Sequence, residues 1–150
     1  MRIVIQRTKR ASVTIEGNLL STIEAGMMVL VGIEEEDNNE DIDYLVKKIC
    51  NMRIFDDEKG VMNLSIKDVN GDILAISQFT LHARTKKGNR PSYIGAAKPD
   101  ISIPLYEKFV SELSKELGKE VKTGKFGADM QVELINDGPV TIIMDSKAKK

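Results

Sequence analysis

Two short segments carry the residues that could perform chemistry, and the first spans residues 77–83 (Ser-Gln-Phe-Thr-Leu-His-Ala). It places the hydroxyl of Thr80 two positions before His82, the only histidine of the chain. Residues two apart share a face of an extended strand, so this pair could act as a nucleophile and its base. No carboxylate lies close in sequence to orient His82, which we therefore expect to be a surface side chain at a strand end. For Thr80, an ordinary strand residue and a nucleophile both stay open.

The second segment spans residues 136–142 and begins with Asn-Asp-Gly-Pro. These four residue types favour turns, so the composition predicts a turn between two closing strands. A cis bond between Gly138 and Pro139 would turn the neighbouring carbonyl oxygens outward as an acceptor pair for an ammonium group, but few X–Pro bonds are cis. The sequence leaves the isomer open.

Metal and cofactor chemistry have little support in the sequence. The chain has one His and one Cys, and no cluster of these with Asp at ligand spacing. It contains neither a Walker loop nor a dinucleotide-binding glycine motif. We therefore expect no metal and no cofactor.

The charge distribution is more informative than the formal net charge of −1, which excludes nucleic-acid binding through overall basicity. Residues 34–43 are strongly acidic, as expected of a solvated face. Residues 73–99 contain no acid but five cations: Arg84, Lys86, Lys87, Arg90 and Lys98. A patch that contacts phosphate and a plain solvated surface are equally compatible with this basic stretch.

The 150 residues predict one domain, residues 1–150. No apolar run approaches the roughly 20 residues of a membrane helix. The first residues read as a strand rather than a secretory signal, and the single Cys50 cannot form an internal disulfide. We expect a cytoplasmic protein without a membrane segment.

The pattern of apolar residues predicts about eight strands and two helices. Gly17-Asn18 marks a hairpin, residues 27–33 a buried strand, and residues 73–79 a strand that enters the first segment. The closing strands are expected at residues 121–125, 130–136 and 140–145. Because the early part is dominated by hairpins, we expect an α+β fold on a mixed, barrel-like sheet.

The two helices have recognisable ends. Asp37 followed by Glu40 predicts a capping box for the first helix. The second should begin near Ile103, with Pro104 in its first turn, and stop at Gly118.

Several separated motifs, in this order and over the whole chain, resemble those of the D-aminoacyl-tRNA deacylases. They are the opening residues 1–7 (MRIVIQR), 77–81 (SQFTL), 88–92 (GNRPS), 105–106 (LY), 126–132 (FGADMQV) and 136–141 (NDGPVT). Agreement of several separated motifs is far more specific than any one of them.

The resemblance implies a homodimeric cytosolic hydrolase that cleaves the ester joining a D-amino acid, or glycine, to the 3′-terminal adenosine of tRNA. The two segments would come from opposite subunits at the interface. Gly138 and Pro139 would be the family's cis Gly-Pro element, whose carbonyls hold the substrate amino group. An L-substrate would then clash with the backbone, which is chiral proofreading by exclusion.

The resemblance also assigns roles to single residues. Ser77, Gln78, Phe79 and Thr80 would line the ester end of the site, and N–H groups near Phe79 would stabilise the oxyanion. Met130 would line the adenosine side and Arg7 would brace the Gly-Pro loop.

Two chemical routes remain: a Thr80 nucleophile, or attack by water assisted by the ribose 2′-OH. The absence of a convincing triad favours the second route. The family usually has a small or apolar residue at position 82, so a common mechanism cannot depend on His82. A non-catalytic tRNA- or metabolite-binding dimer and a general Thr80–His82 hydrolase are the alternatives.

Overall fold

The computed structural model describes residues 1–150, in which eight strands and two α-helices alternate with loops and one short 3₁₀ turn. The strands are β1 (Arg2–Ile15), β2 (Asn18–Ile23), β3 (Gly26–Gly32), β4 (Phe55–Asp56), β5 (Met62–Leu64), β6 (Asp72–Ser77), β7 (Lys122–Thr123) and β8 (Gln131–Asp145). The helices are α1 (Asn39–Asn51) and α2 (Pro99–Leu117), and the 3₁₀ turn is Phe79–His82. None of the helices is long and apolar enough to cross a membrane.

Six of the strands form a mixed sheet in the order β2-β1-β3-β6-β7, with β8 paired to β1. The β3–β6 and β6–β7 pairs are parallel and the others antiparallel. The hydroxyl of Ser21 in β2 donates to the carbonyl of Thr123 in β7 (2.5 Å), so the two ends of the sheet meet. The predicted α+β fold with a barrel-like sheet and two helices is confirmed.

Strand β1 is shared by three partners because it is long. Residues 2–8 pair with β3 and residues 11–15 pair with β2, while β8 runs along β1 for most of its length. Ile3, Ile5 and Arg7 are buried in alternation, as the period of two predicts.

Both faces of the central strands are covered, which explains the continuous apolar run of β3. Met27 and Val29 belong to the large core that also contains side chains of α1 and α2. Met28 belongs to a smaller core on the opposite face of the sheet, with Val13 and Leu74. A strand buried on both sides carries no polar alternation.

The first hairpin turns one residue earlier than predicted. Glu16 and Gly17 both have positive φ (49° and 78°), and Asn18 already belongs to β2. Two consecutive positive φ values are the geometry of the type I′ turn, which suits the twist of a hairpin.

The helix starts also differ from prediction. The capping box of α1 uses Asn38 and Asp41 rather than Asp37 and Glu40, because Asp37 accepts the N–H of Glu34 instead (2.7 Å). Helix α2 begins at Pro99, five residues before Pro104, which therefore lies inside the helix. Pro99 already fills the first-turn position that suits proline. Gly118 ends α2 with φ 83°, as predicted.

The predicted turn at residues 136–139 was wrong. Asn136 pairs with Thr8 and Thr141 pairs with Gln6, so residues 137–140 bulge out of one continuous strand opposite the single residue Arg7. A bulge keeps the strand in the sheet while it lifts the extra residues away from it. We call residues 137–140 the Gly-Pro bulge.

Candidate active site

A cleft of about 590 Å³ opens where β6 ends, and its lining is mostly apolar. Four sets of residues line it: Val31 and Ile33 at and just after the end of β3, residues 76–79 at and just after the end of β6, residues between 93 and 102 before and in the start of α2, and residues between 126 and 132 before and in β8. This size lies in the range of small-molecule sites.

The first segment reaches the cleft by leaving the sheet. The N–H of Gln78 donates to the carbonyl of Val31 (2.8 Å), and the chain then turns into the 3₁₀ turn. The predicted extended face shared by Gln78, Thr80 and His82 is therefore wrong. Gly32 of β3 makes room for the turn: a Cβ there would lie 2.9 Å from the Cβ of Leu81.

The 3₁₀ turn leaves two backbone donors unused at its start. The N–H groups of Phe79 and Thr80 donate to no side chain and to no loop carbonyl. The first residues of a helical turn also have no earlier carbonyl of that turn in reach. Phe79 is 56% exposed, and its ring packs edge-to-face on Tyr93 with 5.1 Å between the centroids. Free donors therefore adjoin an exposed aromatic pair of the cleft.

Thr80 does not line the cleft itself but is hydrogen-bonded to Gln78, which does. The side-chain amide of Gln78 donates to the Thr80 hydroxyl oxygen (2.5 Å). No histidine, carboxylate or lysine makes a hydrogen bond to this hydroxyl. The chain therefore provides no base in contact with Thr80.

His82 is not at the surface as expected but only 4% exposed. Its Nδ1 lies 3.3 Å from a carboxylate oxygen of Glu34, while its Nε2 has no partner. The 3₁₀ turn causes the burial, because it rotates His82 away from the direction a strand would give it. No local sequence pattern predicts the Glu34 contact, because Glu34 lies in the loop after β3, far along the chain from the 3₁₀ turn.

Gly138 and Pro139 lie on the exposed Gly-Pro bulge and do not line the cleft of their own chain. The bond between them is cis, and Gly138 has φ 135°. A Cβ at Gly138 would lie 2.8 Å from a methyl of Val140, so only glycine fits here.

Arg7 contacts the bulge from below. It is 7% exposed, its Nε donates to the carbonyl of Asp137 (2.9 Å), and one terminal nitrogen donates to the carbonyl of Ile54 (2.8 Å). The side chain of Asn136 accepts the N–H of Val140 (2.9 Å) and closes the bulge from its other side. These contacts fix the bulge relative to β1.

The predicted site residues thus form two groups. Ser77, Gln78, Phe79 and Met130 line the cleft, and Thr80 adjoins it through Gln78. Gly138, Pro139 and Arg7 form a separate group on the β8 side of β1.

The cleft residue Tyr93 escaped the sequence reasoning, while Lys98 was named only as part of the basic stretch. Tyr93 follows the 88–92 motif directly, which is the one signal that could have found it. No group of three or more His, Cys, Asp or Glu side chains is placed to hold a metal ion.

Known proteins are similar to this chain over its full length. The family model described as D-Tyr-tRNA(Tyr) deacylase matches residues 4–145. The D-aminoacyl-tRNA deacylases of Bacteroides fragilis (strain YCH46) and Flavobacterium psychrophilum are 71% and 63% identical to this chain, each over 100% of both sequences.

Two solved structures share the fold. One, described as c-Myc DNA Unwinding Element Binding Protein, has a TM-score of 0.91 at 43% identity and covers 99% of this chain and 100% of its own. The other, described as a probable eukaryotic D-amino acid tRNA deacylase, has a TM-score of 0.83 over 95% and 97% of the two chains, but at 16% identity it supports the fold alone. The family model and the full-length relatives together show that this chain belongs to the D-aminoacyl-tRNA deacylase family.

Proposed function

We propose that this chain hydrolyses the ester bond of D-aminoacyl-tRNA and of mischarged glycyl-tRNA, releasing the free amino acid and tRNA. The observation that carries the proposal is the pair of unused N–H groups at Phe79 and Thr80, beside a cleft of about 590 Å³. Two free donors are what a tetrahedral oxyanion needs. The full-length relatives named D-aminoacyl-tRNA deacylase supply the substrate class.

The chemistry needs orientation more than a side-chain nucleophile. Water adds to the ester carbonyl carbon, the N–H groups of Phe79 and Thr80 hold the resulting oxyanion, and the 3′-oxygen of adenosine leaves with a proton. The ribose 2′-OH assists the attack, because Thr80 has no base in contact. An aminoacyl ester is already activated, so positioning and oxyanion stabilisation suffice.

The terminal adenosine is proposed to lie against the apolar wall that contains Phe126 and Met130. Ser77 and Gln78 form the opposite side of the cleft, next to the ester. Purine rings bind well to such a surface, which presents an aromatic face and a polarisable thioether. This arrangement leaves the amino-acid end near the mouth of the cleft.

We further propose a homodimer in which the Gly-Pro bulge of one copy enters the cleft of the other. Gly138 and Pro139 are exposed and lie outside their own cleft, so a second copy is needed to bring them to the ester. Strand β8 pairs only with β1, which leaves its other edge unpaired, and β8 carries exposed apolar side chains, including Ile135 and Ile143 (40% and 69% exposed). An unpaired apolar edge of this length is typical of an interface.

Chiral selection follows from this arrangement. Carbonyl oxygens of the bulge hold the substrate ammonium group, and the Arg7 contacts keep the bulge in place. With the ammonium and the ester both fixed, an L side chain points into the backbone wall while a D side chain, or the hydrogen of glycine, points away from it. Selection by a clash works for any side chain.

The proposed place of action is the cytosol. Cys50 is a free thiol, and burial raises its pKa to about 11, so it stays protonated and unreactive. A chain whose one cysteine is held in the core suits a reducing compartment.

Incubation of the purified protein with D-Tyr-tRNA, L-Tyr-tRNA and Gly-tRNA tests the proposal. We expect D-Tyr-tRNA and Gly-tRNA to lose their amino acid while L-Tyr-tRNA stays charged. Equal rates on the two tyrosyl enantiomers, or no hydrolysis of any of them, would contradict it. Binding of D-Tyr-tRNA without turnover would favour a non-catalytic tRNA-binding dimer instead.

A further inference from the structure

Residues 84–92 form a closed loop beside the cleft, which we call the basic loop. Its two ends are joined by an isolated bridge: the N–H of Arg84 donates to the carbonyl of Ser92 (2.7 Å), and the N–H of Ser92 donates back (3.0 Å). Gly88 lies at its tip with φ 65°. A loop closed by two backbone hydrogen bonds holds its side chains in a defined place rather than letting them sample space freely.

The cations of this region have no partners in the chain. All are exposed, and none takes part in an ion pair or a side-chain hydrogen bond: Arg84, Lys86, Lys87, Arg90 and Lys98. Other cations of the chain are either paired, as in the Arg2–Asp145 (2.9 Å) and Lys67–Glu116 (2.7 Å) contacts, or exposed without an ion-pair partner, as Lys47 and Arg53 are. Residues 84–98 differ in that they place five unpaired cations and no acid on one stretch of a protein whose net charge is −1.

The basic loop lies directly next to the cleft mouth. Tyr93 follows Ser92 and lines the cleft, and Lys98 lines it too. Asp129 is the only acid of the lining and Lys98 its only base, so the charges of the cleft lining balance while the loop is purely positive. The loop tip at Gly88 is at most about 14 Å of extended chain from Ser92.

Exposed apolar side chains directly follow the basic loop in the chain. Ile94 is 79% exposed and Tyr93 is 40% exposed, with the Tyr93 ring against Phe79. Surfaces that bind unpaired nucleotides combine cations along the backbone with flat apolar groups on which bases stack. Residues 84–98 carry both kinds of group and part of the cleft lining on one stretch of chain.

We propose that the basic loop binds the phosphates of the tRNA acceptor end while the terminal ester lies in the cleft. The proposal rests on the proposed function, which puts the terminal adenosine in the cleft and so requires the preceding nucleotides to leave past Tyr93 and Ile94. Lys86, Lys87 and Arg90 contact phosphates, which position the substrate without reading its sequence. The contacts strengthen binding of any tRNA and leave the amino-acid end to the cleft.

The test compares two variants with the same loss of charge. The loop variant is Lys86→Gln, Lys87→Gln, Arg90→Gln. The remote variant carries the same changes at exposed, unpaired cations outside the cleft: Lys47→Gln, Lys108→Gln, Arg53→Gln. Each is assayed for kcat/KM on D-Tyr-tRNA and on D-tyrosyl-adenosine, an ester without phosphates, and for the Kd of uncharged tRNA over a range of salt.

We expect the loop variant to lose about tenfold or more in kcat/KM on D-Tyr-tRNA, through KM, and to keep its rate on D-tyrosyl-adenosine. The slope of log Kd against log salt should fall by about 2–3, since each phosphate contact contributes roughly 0.7–0.9. The remote variant should match the wild type on both esters.

Equal behaviour of the two variants on D-Tyr-tRNA would overturn the proposal. So would an equal loss of the loop variant on D-tyrosyl-adenosine, since the loop would then shape the cleft, or equally tight binding of polyglutamate, which would mark a general anion surface. If the wild type hydrolyses neither ester, the proposed function fails and the Kd for uncharged tRNA decides alone: weakened binding in the loop variant supports the phosphate surface, and unchanged binding refutes it.

Discussion

His82 lies two residues after Thr80, yet its imidazole faces Glu34 in the interior. The pairing of a hydroxyl with a histidine at this spacing is therefore a coincidence of sequence, removed by the 3₁₀ turn. What remains for the chemistry that we propose is the backbone itself: the N–H groups of Phe79 and Thr80. Backbone donors are present whatever side chain occupies a position, so the proposed chemistry does not depend on His82.

We predict that neither His82→Ala nor Thr80→Val removes deacylase activity. His82→Ala should keep the rate on D-Tyr-tRNA and lower the free energy of unfolding by about 1–3 kcal/mol, because a buried side chain is lost. Thr80→Val keeps the shape and loses only the contact with Gln78. Single-turnover deacylation and urea unfolding measure both effects. A loss of about 100-fold or more in both variants with the fold intact would point to a nucleophile and base pair instead.

The residues of the site were predictable to different degrees. Ser77, Gln78, Phe79 and Met130 were named from motifs and share the cleft. Partners far apart in the chain, such as Glu34 and His82, follow from how the 3₁₀ turn packs against the end of β3 and the loop after it, and no local pattern encodes that.

At the level of elements, the position of the 3₁₀ turn depends on the strand β3 beneath it. Gly32 ends β3 directly under the 3₁₀ turn, where an added Cβ would lie 2.9 Å from the Cβ of Leu81, 3.0 Å from the carbonyl oxygen of Gln78 and 3.1 Å from the ring of His82. Two of these three contacts are with atoms near the backbone of the turn, which cannot simply rotate away.

We therefore predict that Gly32→Ala displaces the 3₁₀ turn and lowers kcat on D-Tyr-tRNA by about 10-fold or more, since the two donors leave their position. Leu113→Ala is the matched control, because it destabilises the core far from the cleft and should leave kcat unchanged. Thermal unfolding ranks the two variants for stability. A Gly32→Ala enzyme with a normal kcat would show that the turn does not rely on this packing.

Most elements were predictable from periodicity, and their ends were less so. The apolar stripes of α1 and α2 are long and regular, but Asp37 and Asn38 are both good N-caps, and the side contact of Asp37 with Glu34 decides between them. The Gly-Pro bulge was mistaken for a turn because Asn-Asp-Gly-Pro suits both, and only the pairing of β8 with β1 on both sides of it distinguishes them.

At the level of the whole molecule, closure of the sheet through Ser21 and Thr123 and the place of β8 beside β1 depend on contacts between distant residues. The order of the strands therefore could not be predicted from a single sequence, whereas the class of fold could. The same limit applies to the dimer that we propose, for which the unpaired edge of β8 and its exposed apolar side chains are the structural argument.

We predict that Pro139→Ala relaxes chiral selection with little effect on stability. Pro139 is exposed in the single chain, so folding loses little, while the proposed wall against L side chains loses the bulk of the ring. The rate on L-Tyr-tRNA should rise by roughly 10–200-fold, because a pocket discriminates by about this factor through one close steric contact. An unchanged ratio of the D and L rates would contradict this role.

A mixed dimer tests most directly whether one copy's Gly-Pro bulge serves the other copy's cleft. One subunit carries Pro139→Ala, the other carries Ala128→Trp to fill its cleft, and two affinity tags isolate the mixed form; the Ala128→Trp dimer alone must be inactive. The one open cleft then meets a native bulge across the interface, so the ratio of D-Tyr-tRNA to L-Tyr-tRNA rates should return to the wild-type value. A ratio as relaxed as that of the Pro139→Ala dimer, or failure of the two subunits to associate at all, would contradict the composite site.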